Sequence, residues 1–185
     1  GYVSVPIGTS PLMEWVEYFA GVENSHLLLL DYQKEVEQLF EVLQDRLLDK
    51  TRLISKYHPA DILFFIENTS TSLISPTQYN NYCFPHLSEC AGLIRKEKRK
   101  SFLHMCGHIK ILLPKLSTID FDAFEAFTTA PLTDQSLLDG RTNCPDKCLI
   151  GGTNAVLWTK SAVEIMEEIK KQLDVLPHHR GIIIT

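Results

Sequence analysis

Ile62-Leu63-Phe64-Phe65-Ile66 is an unbroken run of five large apolar residues set between Asp61 and Glu67. It is far too short to cross a bilayer, which takes about 18 residues or more. As a strand it leaves no face for water, and uninterrupted apolar strands belong to parallel sheets covered on both faces. Shorter apolar segments accompany it: Tyr2–Ile7, Ser101–His104, Ala123–Phe127, Cys148–Gly151 and Gly181–Thr185. Helical patterns separate them. Ser10 reads as an N-cap and Pro11 as the first residue of a helix over Pro11–Ala20 that ends at Gly21. Asp31 reads as the cap of a long helix carrying Val36, Phe40, Leu43, Leu47 and Ile54 on one face, stopped before Pro59. Ser75-Pro76 opens another, which Pro85 kinks or splits. Further helices are expected over Ile109–Leu116, around Gln135–Leu138 before Gly140, and from Thr159 or Ser161 to about Leu173, with Ser161 and Glu164 at capping-box spacing. Alternation of strand and helix predicts βαβ units, an α/β class and a parallel sheet.

No repeat, linker or low-complexity tract divides residues 1–185, so one domain is expected. The net charge of −5 gives no general field for nucleic acid. The basic run Arg95–Lys100 fits the C-terminal end of a helix, where cations are favoured. No apolar run is long enough for a membrane span, and no signal peptide opens the sequence. Five cysteines, an odd and scattered set, argue against a disulfide framework and for a reducing cytoplasm.

Polar residues gather after the strands: Thr9-Ser10, Glu67-Asn68, His104 to His108, Thr128-Thr129 and Gly152-Thr153-Asn154. In a (β/α) barrel that end carries the chemistry. The most specific group is His104-Met105-Cys106-Gly107. Two residues apart on a strand, an imidazole and a thiol point the same way, and together they are half of a tetrahedral zinc site. The alternative is a polar strand end with a buried thiol. Glu67 closes the neighbouring apolar strand and is a candidate third ligand, hydrogen-bond partner of His104, or substrate contact. Glu125 interrupts its strand and is a further candidate ligand. Asn68 and Asn154 are candidate pocket residues. His108, His178-His179, and Tyr79 with Tyr82 read as surface or packing residues. Cys83 with Cys90 reads as core, and Cys144 with Cys148 as structural.

Val5-Pro6-Ile7-Gly8 with Ser10-Pro11-Leu12, Ala60–Phe64, Ile74-Ser75-Pro76 with Tyr82–Leu87, Leu103–Gly107, Asp146–Asn154 and Gly181–Thr185 follow one another in an order that resembles the uroporphyrinogen decarboxylase superfamily. That superfamily also contains cobalamin-dependent methyltransferases. The resemblance implies an eight-stranded (β/α) barrel, of which this chain is similar to strands three to eight. A barrel takes about 250 residues; the expectation is a partial barrel domain over 1–185, a fragment with Tyr2–Ile7 and Gly181–Thr185 left as edges open to another chain. Where decarboxylases of the family carry a substrate-binding tyrosine and serine, this sequence has Val16 or Glu17 and Asn68. His104 and Cys106 match the His-x-Cys with which methyltransferases of the coenzyme M type bind zinc, the later cysteine falling beyond Thr185. The resemblance thus implies methyl transfer from a methyl-corrinoid, carried on a partner protein, to a small thiol activated by zinc. A tetrapyrrole carboxy-lyase and a non-catalytic ligand-binding fragment are the alternatives.

Overall fold

Residues Gly1–Thr185 are all described in a computed structural model. Six strands run parallel and stand side by side in sequence order: β1 (Ser4–Gly8), β2 (Ile62–Ile66), β3 (Lys100–His104), β4 (Ala123–Phe127), β5 (Cys148–Gly151) and β6 (Ile182–Ile184). Parallel neighbours need long crossovers, and helices supply them. Between β1 and β2 lie α1 (Pro11–Glu14), a π-helical turn (Trp15–Phe19), α2 (Val22–Asp31) and α3 (Gln33–Tyr57). Between β2 and β3 lie α4 (Pro76–Gln78), a second π-helical turn (Tyr79–Cys83) and α5 (Phe84–Lys96). A 3-10 turn with α6 (Leu113–Leu116), then α7 (Leu137–Asn143), then α8 (Ala162–Asp174) complete the later crossovers. The strand order never reverses, as it does in a doubly wound sheet. This is part of a (β/α) barrel. β1 pairs only with β2 and β6 only with β5, so both edges are open, as the sequence predicts.

Alternation along the strands divides the sheet into two faces. Ile7, Leu63, Phe65, Leu103, Phe124 and Leu149 point to the helices and are fully buried. They meet Val36, Phe40 and Leu47 of α3, Leu87 and Ile94 of α5, and Leu113 and Leu116 of α6 in one core. Each such side chain contributes roughly 1.5–3 kcal/mol by leaving water. The other face carries Phe64, Ile66, Phe102, Ile150 and Ile183, none of which joins that core. Phe64 and Phe102, partners in register, stack with ring centroids 4.7 Å apart. In a closed barrel this face would point inward.

The caps follow the sequence closely at Ser10, Ser75 and Ser161; the last two form full capping boxes with Gln78 and Glu164. Three expectations need correction. Asp31 does not cap the long helix: it ends α2, and α3 restarts after a break at Tyr32. The break expected at Pro85 falls just before it, in the π-helical turn, and Pro85 takes the first turn of α5 where it forfeits no hydrogen bond. Gly140 does not terminate a helix. It lies inside α7, where a Cβ would stand 2.6 Å from Phe127 Cζ and 2.8 Å from Leu149 Cδ1.

Candidate active site at the strand C-termini

Ile66, His104 and Glu125 occupy one row across β2, β3 and β4 on the inner face. That register brings the Glu125 carboxylate against Nδ1 of His104 in a short hydrogen bond. The strand ends are tied together by Glu67 N–H donating to the His104 carbonyl at 2.9 Å and Met105 N–H to the Glu125 carbonyl at 3.0 Å. Both side chains are partly open to water, at 27% and 30% exposure. The Cys106 sulfur and the Glu125 carboxylate beside it push the His104 imidazole up to about 9, against the effect of partial burial.

Cys106 lies just past the end of β3 and is exposed. Its thiol donates to Oδ1 of Asn68 at 3.3 Å. The Asn68 amide nitrogen in turn donates to Glu17 at 3.2 Å, so both ends of that amide are assigned. Asn68 holds a left-handed backbone, φ 35°, and Ala126, next to Glu125, holds φ 55°. Strained conformations of this kind collect at functional sites. The loop bearing Cys106 is pinned from two sides. Gly107, at φ 135°, lets Ser70 approach to where a Cβ would be 2.6 Å away. Gln135, buried, donates to the carbonyls of Gly107 and Thr128 and accepts from Ile109 N–H. Nothing in the residue order marks Gln135 for this role; a buried amide is invisible until its loop partners are known.

Glu67 is not the partner of His104. It follows Ile66 by one residue and so points to the opposite face, beneath the helices, with 0% exposure. There its carboxylate accepts from Thr9 Oγ1 at 3.0 Å, Ser10 N–H at 2.8 Å and Ser10 Oγ at 2.6 Å, joining β2 to the turn after β1. Burial raises it to about 7, the Ser10 and Thr9 donors opposing. Asn154, a candidate pocket residue, does not line the cavity beside Asn68. It is buried, donating to the Ala130 carbonyl at 2.9 Å and accepting from Leu157 N–H at 2.9 Å, and braces two loops. Tyr79, Cys83 and Cys90 are buried in the core, His108 is exposed, and all five cysteines are free. A cavity of about 420 Å³ adjoins Asn68 on the β1 side, lined by Thr9, Glu17, Tyr18, Arg46 and Lys50 among others.

No three His, Cys, Asp or Glu side chains of the chain converge to hold a metal ion. His104 and Cys106 offer two donors, and Glu125 is spent on Nδ1 of the histidine. Such a carboxylate–histidine contact is what supports a ligating imidazole in metal sites. The residues therefore fit two positions of a zinc site and its outer support, and the chain alone does not fill a third.

The model of the family described as uroporphyrinogen decarboxylase (URO-D) matches residues 15–185. The chain belongs to this family. Among solved structures, the URO-D-family fold seen here is similar to a methyltransferase from Methanosarcina mazei, with a TM-score of 0.71 at 16% sequence identity, over 90% of this chain. The aligned region is 48% of that structure, so the chain spans about half its length. No curated protein sequence matches the chain. At that identity the likeness bears on the fold.

Proposed function

We propose that this URO-D-family chain forms the rim of a methyltransferase that moves a methyl group from a methyl-corrinoid, held by a partner protein, to a small thiol, with zinc as the resident metal. The observation that carries this reading is the carboxylate of Glu125 on Nδ1 of His104, with the Cys106 thiol alongside. Glu125 fixes the tautomer, so the lone pair of neutral His104 sits on Nε2, free for a metal. His104 and Cys106 would be the zinc ligands of this chain, with a further donor supplied from outside it. Zinc bound there would keep a substrate thiol deprotonated. Asn68, its amide nitrogen held by Glu17, aims the Cys106 sulfur. His104 is pushed up to about 9, so at neutral pH it gives up a proton when it ligates, and metal affinity rises with pH toward that value.

Cobalt(II) titration tests the site directly. The chain should develop a thiolate-to-cobalt charge-transfer band that Cys106→Ser abolishes, and His104→Ala should weaken zinc uptake by at least about tenfold. Equal metal content in wild type and both variants would overturn the zinc reading. Demethylation of methylcobalamin in the presence of thiol, followed by absorbance, tests the reaction itself.

A further inference from the structure

The cavity of about 420 Å³ beside Asn68 meets the rim site through two of its lining residues. Ile66 stands in register with His104 on the neighbouring strand, and Oδ1 of Asn68 accepts from the Cys106 thiol at 3.3 Å. Ile7, Leu47 and Ile66 give the cavity an apolar wall, and its volume is that of a small-molecule site.

The rest of the lining is charged, and the charges are not all spent. Arg46 of α3 is ion-paired with Glu14 of α1. Glu17 accepts from the Asn68 amide nitrogen at 3.2 Å through one oxygen and pairs with no cation. Lys50, one helical turn after Arg46, pairs with no carboxylate. One carboxylate and one ammonium are thus left without a counter-charge in a single cavity. A guest with only a negative charge would meet Lys50 but lie against Glu17. A guest with only a positive charge would meet Glu17 but lie against Lys50. Each is penalised by one of the two groups, and only a guest carrying both charges satisfies both.

We propose that this cavity seats the methyl acceptor as a zwitterionic amino-acid thiol, its ammonium on Glu17, its carboxylate on Lys50 and its sulfur directed past Asn68 toward Cys106 and His104. The inference rests on the methyl-transfer reading of the rim and names the class of thiol that reading leaves open. The span of one amide, that of Asn68, separates Glu17 from the Cys106 sulfur, which is the reach of a short side chain. The aliphatic part of the guest lies along Ile66. Glu17 and Lys50 are both open to water, so each contact alone is modest and selectivity comes from the two together.

Calorimetric titration of the metal-free full chain with L-homocysteine tests the pocket, with 3-mercaptopropionate and 2-aminoethanethiol as thiols of one charge each. Wild type should bind the zwitterion at least about fivefold more tightly than either of the others. Lys50→Gln should erase the preference over 2-aminoethanethiol, and Glu17→Gln the preference over 3-mercaptopropionate, each with an unchanged thermal midpoint. Repeating the titration on the cobalt-loaded chain separates the two readings. Cobalt bound through Cys106 without a preference for L-homocysteine sinks the zwitterion pocket and leaves the metal site standing. Preference for L-homocysteine in the metal-free chain, with no cobalt bound, keeps the pocket and sinks the zinc reading. Equal affinity for the three thiols, or a preference that survives Lys50→Gln, refutes the assignment.

Discussion

Glu67 holds the turn after β1 to the end of β2 from a site closed to water, and burial lifts its carboxyl from 4.5 to about 7. A raised carboxyl contributes stability that is complete below its unfolded value and is lost as pH climbs through the folded one. Wild type should therefore lose about 3 kcal/mol relative to Glu67→Gln between roughly pH 4 and pH 8, read from urea unfolding across that range. A difference that stays flat would mean the carboxyl titrates as in water. At the rim the same logic applies to a base. Removing the Glu125 charge, as Glu125→Gln, takes away one of the two groups that hold His104 high, so its titration should move down toward 6.5, as followed by the imidazole proton resonances. The sequence shows one glutamate just after a strand and the other inside one, but not which of them faces His104. That depends on the pairing of His104 with Glu125 across β3 and β4, and on the single-residue phase that turns Glu67 away.

Helix α7 and helix α5 each contain an internal glycine, and the two should answer substitution oppositely. Gly92 of α5 has nothing within 4 Å of the place a methyl would take, so Gly92→Ala should stabilise by about 0.5–1 kcal/mol, the difference in helix propensity. Gly140 of α7 rests on Phe127 and Leu149, both fully buried, so Gly140→Ala should destabilise by about 1 kcal/mol or more once overpacking outweighs propensity. Thermal or chemical denaturation of the pair decides the matter. Short strands bounded by polar or turn residues are legible in the sequence: β2, β4 and β5 begin and end where the residues predict. Helix α2 is not, because Leu27–Leu30 has no helical alternation and its N-cap, Gly21, offers no side-chain bond. Gly140 reads as punctuation in a sequence and as a contact surface in a structure.

For the molecule as a whole, the sheet has two unpaired edges and an inner face outside the core, on which Ile66 is 38% and Ile183 50% exposed. Open edges and apolar patches favour association. The sedimentation coefficient of the chain should rise with concentration, and Ile183→Lys, on the β6 edge strand, should reduce that rise; concentration-independent sedimentation of wild type would show that the edges are shielded. The parallel sheet follows from the alternation of strand and helix, and the partial barrel with its open edges from the family resemblance, whereas the amide of Gln135, which ties the loop after β3 to the loop after β4, could not be read in advance. Because each strand lies beside the one made just before it, every new unit docks on a surface that already exists. While a ribosome makes this stretch, each strand would find its neighbour already in place and never wait for a distant segment.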